Sequence, residues 1–485
     1  MDRRKLLTAI GAGGATYLGA GPDGLAAAAG APSAGTGILP AAAPATAPRA
    51  DFSFLRTEPL ANAERARAVM AREGLDAFVV TQPTNVFYLG NHWPNLDRMG
   101  FRHSMFVIWP RDPRRPVALV MQGFLHYYRY ADDVDMPDRI VFPYTAPLQA
   151  NADNVGTTPD GPAPGMSDAG ASEPEAAPTK LHRILDESLL TARERRRRSV
   201  SAAAQPPSAT PDWALAKALR HLGLDKGVLG IDDPVIEALV ARRGLGARCL
   251  PGEDALRRVR LVKSPAELRL MQLASRNNVA AAVATAHAVR ELGSTGAVRE
   301  RFHVEAMRRG NQPVFIVVDG SSSEIADDPI REGQAFSIDC VSTCLHYHGD
   351  FARTIFVGEP HPMMRRGTTA VFNAWQEIRS RLRAGMRFAD VQRIGRETMK
   401  KQGADFTVNF TPHSVGLWHT DHPRPSVVEG RTIEGLVLEK DMILSVDCPI
   451  LDTAMGGTVH LEDLMRIADD GATPIHDVPP NIFMV

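Results

Sequence analysis

Apolar positions change period several times along this 485-residue chain, and each change marks an element. Ala61–Glu73 repeats its apolar residues at helical spacing until Gly74 stops it, and Ala77–Thr81 is then a short apolar run of strand type. Strands are predicted at Ser104–Trp109 and Val117–Met121. A helix follows at Asp212–Leu222, a strand at Gly227–Asp232 and a helix near Val235–Arg242. Alternating helix and strand is the mark of an α/β domain.

The second half begins on a helix start signal. Ser264 is a good N-cap, Pro265 suits the first helical position, and Glu267 completes a capping box, so a helix is predicted from Pro265 to about Leu292. A strand at Val314–Val318 precedes a predicted hairpin, with strands Ser337–Val341 and Phe351–Val357 around a reversal at His346–Gly349. Thr368–Leu382 places Val371, Phe372, Trp375, Ile378 and Leu382 on one helical face. Phe388–Gln402 is another helix, stopped by Gly403. Strands return at Met442–Val446 and Val459–Ile467, so the whole chain reads as α+β.

Two stretches break the pattern. Residues 30–50 are Ala/Pro/Gly/Thr-rich and read as a linker. From 146 to 210 Pro, Ala, Gly, Asp and Ser dominate, and only Leu181–Leu190 keeps a helical period. Such a segment buries too little apolar surface to offset its ordering entropy, and is expected to be an insertion lying mostly as a surface loop. The divisions are therefore 1–50, 51–257 (with the insertion at 146–210) and 258–485.

Charge and cysteine content remove several function classes. Lys+Arg 55 against Asp+Glu 56 leaves no basic field for nucleic acid. The Arg193–Arg198 run is a local, solvated cluster. Four cysteines (Cys249, Cys340, Cys344, Cys448) without a CxxC spacing give neither a disulfide framework nor a structural zinc site. Cys340 and Cys448 each follow an aspartate and are expected to be small buried hydrophobes behind it. At the N-terminus, Arg3-Arg4 before a Gly/Ala-rich apolar stretch resembles a twin-arginine export signal. Glycine and proline interrupt that stretch, so stable membrane insertion is not expected. The mature protein is expected to be exported to the periplasm, or to be cytoplasmic if the signal does not function.

The hairpin carries one carboxylate per strand, Asp339 and Asp350, each in apolar surroundings. Two buried carboxylates need a cation, because an unpaired buried ion costs several kcal/mol. Alternatively, one aspartate starts a strand and the other caps a turn; on these residues alone the two readings stand level. Downstream, His413, Asp447, Glu462 and Asp463 extend the set toward a hard, mostly oxygen shell. Such a shell suits Mn, Fe, Co or Zn, with carboxylates bridging two divalent transition metal ions.

In order and spacing these residues resemble the pita-bread metallopeptidases, the family of methionine aminopeptidase, aminopeptidase P, prolidase and the metal-free creatinase. Asp339 and Asp350 lie eleven apart, and Gly349–Ile355 looks like the family's second aspartate motif. Val262–Glu267 is similar to the start of the catalytic domain in the prolidase branch, and Asn85–Gly90 resembles the creatinase-type N-terminal domain. The resemblance implies a C-terminal pita-bread catalytic domain after a creatinase-type α/β domain. It implies metal ligands Asp339, Asp350, His413, Asp447 and Glu462, with Asp350 and Glu462 bridging, and a homodimer. It further implies a hydrolase of Xaa-Pro peptidase type, in which metal-activated water attacks an amide carbonyl and Glu462 shuttles the proton.

Several positions depart from the family pattern. Asp447 stands where a glutamate is expected. Ser321–Glu324, Asn409 and Thr420 stand where substrate-side histidines are expected, and His460 replaces an arginine. His419 is the stand-in for the missing catalytic histidine if the local loop shifts by one residue. The rebuilt surroundings leave two other functions open. One is a lyase or amidinohydrolase on a small nitrogenous or sulfonium metabolite; the other is a catalytically silent binding protein. The partner is in any case a small peptide or small molecule.

Overall fold

The computed structural model describes residues 39–41, 50–123, 138–145, 172–177, 184–195, 198, 204–425 and 432–485. The twin-arginine stretch lies outside them. Among the described residues no helix is long and apolar enough to cross a membrane.

The first half builds a six-stranded sheet from β1 (Ala77–Val80), β2 (Met105–Pro110), β3 (Val117–Gln122), β4 (Arg139–Tyr144), β5 (Val228–Ile231) and β6 (Arg248–Pro251). The order is β4-β3-β2-β1-β5-β6, with β2 antiparallel to both its neighbours. The accompanying helices are α1 (Ala63–Glu73), α2 (Pro83–Gly90), α3 (Pro211–His221), α4 (Pro234–Arg242) and α5 (Glu253–Leu261). Strand β1 reads as a continuous apolar run because both its faces are buried. Ala77 and Val79 pack in the core with α3 and α4, while Phe78 and Val80 pack in the core with α1, α2 and α5.

Four of these elements were not legible in the pattern, one of them α5, which lies where a domain division was expected. All residues of α2 except its proline are buried, so it has no polar face and no helical period. Strands β4 and β6 are edge strands that contain a proline. Of the expected insertion, the described parts sit at this edge: Thr145 bonds Ser208 and Ala177, and Glu173 pairs with Lys217. Glu187–Leu189 forms only a short exposed 3₁₀ turn.

The second half contains α6 (Pro265–His287), α7 (Val289–Leu292), α8 (Thr295–Arg308), α9 (Pro362–Arg381) and α10 (Phe388–Lys401). Its strands are β7 (Gln312–Val318), β8 (Ala335–Cys344), β9 (Tyr347–Phe356), β10 (Thr411–Ser414), β11 (Ile443–Asp447), β12 (Glu462–Asp463), β13 (Met465–Ile467), β14 (Ala472–Pro474) and β15 (Phe483–Met484). One sheet runs β12-β9-β8-β7 and the other β10-β11-β13-β14. Val279, Ala282 and Phe302 of α6 and α8 pack on Ile338, Phe351 and Ile355 of the first sheet. Trp375, Ile378 and Ile394 of α9 and α10 pack on Leu444, Val446 and Ile467 of the second.

The capping box at Ser264 and Glu267 forms as expected, but the long helix breaks at Ala288. Helix α9 starts six residues early, where His361 caps it and Pro362 takes the first helical position. The hairpin also differs from expectation. Its turn is Leu345–His346, both with positive φ (44° and 71°), and His348 and Gly349 belong to β9. Gly349 marks a close approach rather than a reversal: a Cβ there would lie 2.6 Å from both Ala274 O and Asn278 Cβ of α6. The run Val459–Ile467 is not one strand. β12 joins the first sheet and β13 the second, so the chain passes from one to the other at Leu464.

The division expected at 257/258 falls inside α5, whose arginines bind both halves. Arg260 is fully buried; its Nε donates to Asp421 at 3.0 Å and its Nη1 to Asn85 at 2.5 Å. Asn85 in turn donates to Asp232 and Glu253. Arg65 holds Glu439 in a two-point pair at 2.7 and 2.6 Å. Lys263 is a scaffold residue, donating to Arg260 O at 2.5 Å. Cys340, Cys344 and Cys448 are buried free thiols, and Cys249 is a half-buried one.

Candidate metal centre

Cross-strand register brings the carboxylates together. Asp339 on β8 is opposite Ala352 on β9, and Ala352 is opposite Glu462 on β12. Directly opposed residues share a face, so Asp339 and Glu462 project to the same side across a small alanine. Asp350, two residues from Ala352, projects there too, from within β9 rather than from its head. On the second sheet His413 is opposite Ser445 and Thr411 is opposite Asp447, which puts His413 and Asp447 on one face. The two faces meet where Ser445 donates to Glu462 Oε1 at 2.5 Å.

All five expected ligands converge. His413 Nε2 lies 3.3 Å from Glu462 Oε1, 3.4 Å from Asp447 Oδ2 and 3.7 Å from Asp350 Oδ2. Donor groups fall within 4.8 Å of one another as Asp350–His413–His419, Asp339–His460–Glu462 and His413–Asp447–Glu462. Asp350 and Glu462 are fully buried, and Asp447 is about a quarter exposed. Asp339 Oδ1, both Asp350 oxygens and Glu462 Oε2 are buried without a hydrogen-bond partner. Four orphaned carboxylate oxygens in one place are costly unless cations bind there, so the residues present fit divalent ions.

The electrostatics agree. Burial, then the charge of Glu462, pushes both the Asp339 and Asp350 carboxyls well above the usual range. Burial alone would raise Glu462 as well, but His413 and His460 beside it hold it well below. Burial opposes protonation of His413 and His460. Glu462 and Asp447 overcome it, raising both imidazoles. Without ions the cluster retains protons; ions would displace them.

The neighbouring positions sort themselves by side-chain direction. His419 faces the cluster, its Nε2 3.1 Å from Asp350 Oδ2. His422 turns away: it accepts from the Ser414 amide and packs edge-on to Phe388. Thr420 and Asn409 are exposed. Asp463, grouped with the ligands in the sequence, points to the opposite face, where it pairs with Arg353 at 2.5 Å, His476 at 3.0 Å and Trp375 Nε1 at 3.1 Å. Arg353 is fully buried and also donates to Glu462 O at 2.8 Å, which fixes the backbone beneath that carboxylate. His346 and His348 are not a solvated turn: His346 stacks on Trp93 with centroids 3.5 Å apart, and His348 contacts Gly416 O at 3.2 Å. Trp418 is half-exposed and belongs to neither core.

His460 was not expected among the donors. The available signal was its spacing two before Glu462, which in extended backbone gives the same face.

With this geometry in hand, the comparisons with known proteins fall into line. Residues 269–469 match the model of Metallopeptidase family M24. Those residues are thus similar to an M24 metallopeptidase domain. The chain is 29% identical over 273 residues to the probable dipeptidase PepE of Mycobacterium bovis, covering 52% of this chain and 68% of the relative. It is 26% identical over 229 residues to the Xaa-Pro dipeptidase of Pyrococcus furiosus, covering 45% of this chain and 64% of that protein. The solved Xaa-Pro dipeptidase from Bacillus anthracis superposes with a TM-score of 0.59 at 17% identity, over 87% of this chain and 99% of that one. The matched domain and the sheet domain before it therefore share the pita-bread, prolidase-type fold.

Proposed function

We propose that this protein is a dinuclear metal-dependent hydrolase that cleaves peptide bonds of Xaa-Pro type. The observation that carries the reading is the convergence of four carboxylates and His413 with their buried oxygens unpartnered. Asp339, Asp350, His413, Asp447 and Glu462 would hold two divalent ions, with Mn, Fe, Co or Zn as the occupants the donor set admits. Such ions, when bound, supply Lewis-acid polarisation of a carbonyl and acidification of water.

The chain's own residues provide the rest. Ser445 donates to Glu462 Oε1, and His413 and His460 beside it hold Glu462 ionised, so it offers a proton acceptor within the cluster. Arg353 fixes the backbone from which that carboxylate projects by donating to Glu462 O. His419 is a third exposed, so an incoming substrate meets this imidazole at the rim of the cluster. It is placed to hold or donate a proton at Nε2.

The test is a panel of Xaa-Pro dipeptides offered to Mn- or Co-loaded protein, with proline release measured. Cleavage of at least one is expected. If no peptide is cut while ions are demonstrably bound, the peptidase reading fails. A second reading then takes over, a lyase or amidinohydrolase on a small nitrogenous or sulfonium metabolite. What favours that second reading is specific: Ser321, Asn409 and Thr420 replace the substrate-side histidines of the family. Export by the twin-arginine stretch and homodimerisation are part of the same proposal. Fractionation of cells carrying Arg3→Lys/Arg4→Lys, and sedimentation of the mature protein, check them.

A further inference from the structure

His460 sits in register with the ligand row. Pairing of β12 with β9 continues one step further, since the His460 amide donates to Thr354 Oγ1 and Thr354 Oγ1 donates to His460 O, both at 3.1 Å. Thr354 is in turn opposite Ser337 on β8. The row Ser337–Thr354–His460 therefore lies beside the row Asp339–Ala352–Glu462, and its two small residues leave space for one imidazole. That imidazole is nine-tenths buried, and its Nδ1 has no hydrogen-bond partner.

The contacts of its other nitrogen are instructive. His460 Nε2 is 3.5 Å from Asp447 Oδ1 and 3.5 Å from Glu462 Oε2. His413 Nε2 faces the other oxygen of each of the same two carboxylates, Asp447 Oδ2 and Glu462 Oε1. Asp447 and Glu462 thus both lie between two imidazoles, each presenting one oxygen to either side. Asp339 groups on the His460 side, Asp350 and His419 on the His413 side. These separations are long for hydrogen bonds. They suit donors around a shared ion, because two ligands at about 2.1 Å in tetrahedral array stand roughly 3.4 Å apart.

We propose that His460 is a metal ligand, and that Asp447 and Glu462 form the carboxylate pair spanning the two ion positions. One position is built from Asp339 and His460, the other from Asp350 and His413, with His419 at its rim. This rests on the dinuclear reading above, but departs from the pattern implied by the family, in which Asp350 bridges and an arginine occupies position 460. The shorter Asp447 fits the arrangement, because the His460 ring fills the space that a longer glutamate side chain would need. The added imidazole shifts preference from Mn toward Co and Zn.

Cobalt(II) is the probe, followed by equilibrium dialysis and by its visible absorption spectrum. Wild type is expected to bind two ions per chain. His460→Gln is expected to bind one tightly, the second at least tenfold more weakly, with a changed spectrum. His460→Arg keeps a cation at the position but offers no ligand, and should behave like His460→Gln. Thermal melts of the metal-free variants check that each is folded. If His460→Arg binds two cobalt ions with the wild-type affinity and spectrum, the imidazole is only a counter-charge and the proposal is overturned. Wild-type protein that binds no cobalt would instead overturn the dinuclear reading itself.

Discussion

Asp350→Asn is expected to lose its bound ions and its hydrolytic activity together. The Asp350 side chain is fully buried, both its oxygens lack hydrogen-bond partners, and His413 and His419 approach Oδ2 at 3.7 and 3.1 Å. Asparagine keeps the shape but replaces an anionic oxygen by an amide that must point at imidazoles or carboxylates. The loss in ion affinity should exceed the roughly 10–100-fold that follows removal of an outer-shell partner, since a direct ligand is removed. Stability separates this from misfolding. Metal-free wild type carries a carboxyl that burial disfavours, so the metal-free variant should melt no lower than metal-free wild type. Adding cobalt at 100 times its Kd should stabilise wild type by about 2.7 kcal/mol and leave the variant unmoved. A variant that kept its metal and its turnover would show that Asp350 is not part of the centre.

The second large effect lies outside the donor cluster, in the buried pair of Arg260 and Asp421. Both side chains are fully inaccessible, with Nε 3.0 Å from Oδ1, and they join α5 to the loop after β10. Asp421 also accepts from the Leu417 amide at 3.2 Å. It therefore braces the segment that carries His413 and His419. Asp421→Asn leaves a buried guanidinium with Glu253 as its remaining anionic partner, and should cost about 3–5 kcal/mol in urea unfolding. Arg260→Met with Asp421→Leu should recover only part of that loss: no guanidinium is left stranded, but buried Lys263 and the Leu417 amide lose the carboxylate that faces them.

The same pair predicts a pH dependence. Burial alone would raise the Asp421 carboxyl, but Arg260 and then Lys263 hold it below its usual value. A carboxyl depressed in the folded state contributes stability that is fully present above its unfolded pKa of about 3.9 and lost as pH falls through the folded one. Wild type should therefore shed this component on acidification below about pH 4. Asp421→Asn should lack it at every pH, and a parallel acid-unfolding curve for the two proteins would contradict the assignment.

Much of the fold was legible where an element has one wet face or a strong terminus. The capping box at Ser264, the stop at Gly74 and the apolar face of α9 were all readable from spacing. Elements without those marks were missed. Helix α2 is buried nearly all round, β4 and β6 are proline-bearing edges, and Gly349 resembles a turn residue although its role is to let α6 approach β9. That Asp339, Asp350, His413, Asp447 and Glu462 belong together was legible from residue type, order and the eleven-residue spacing of Asp339 and Asp350. His460 was not, because it belongs to the cluster through a cross-strand pairing with Thr354.

The sequence by itself determined which residues have the chemistry for a metal centre, and that they sit on strands. Side-chain alternation and donor type are local properties, carried by each segment wherever it goes. Only the tertiary structure decided the orientation of near neighbours in the chain. Glu462 faces the cluster while Asp463 pairs with Arg353, and His419 faces Asp350 while His422 turns to Phe388. It also decided which imidazole each carboxylate oxygen meets. For Glu462 and Asp463 the outcome depends on register between strands far apart in the chain, and a shift of one residue would reverse it.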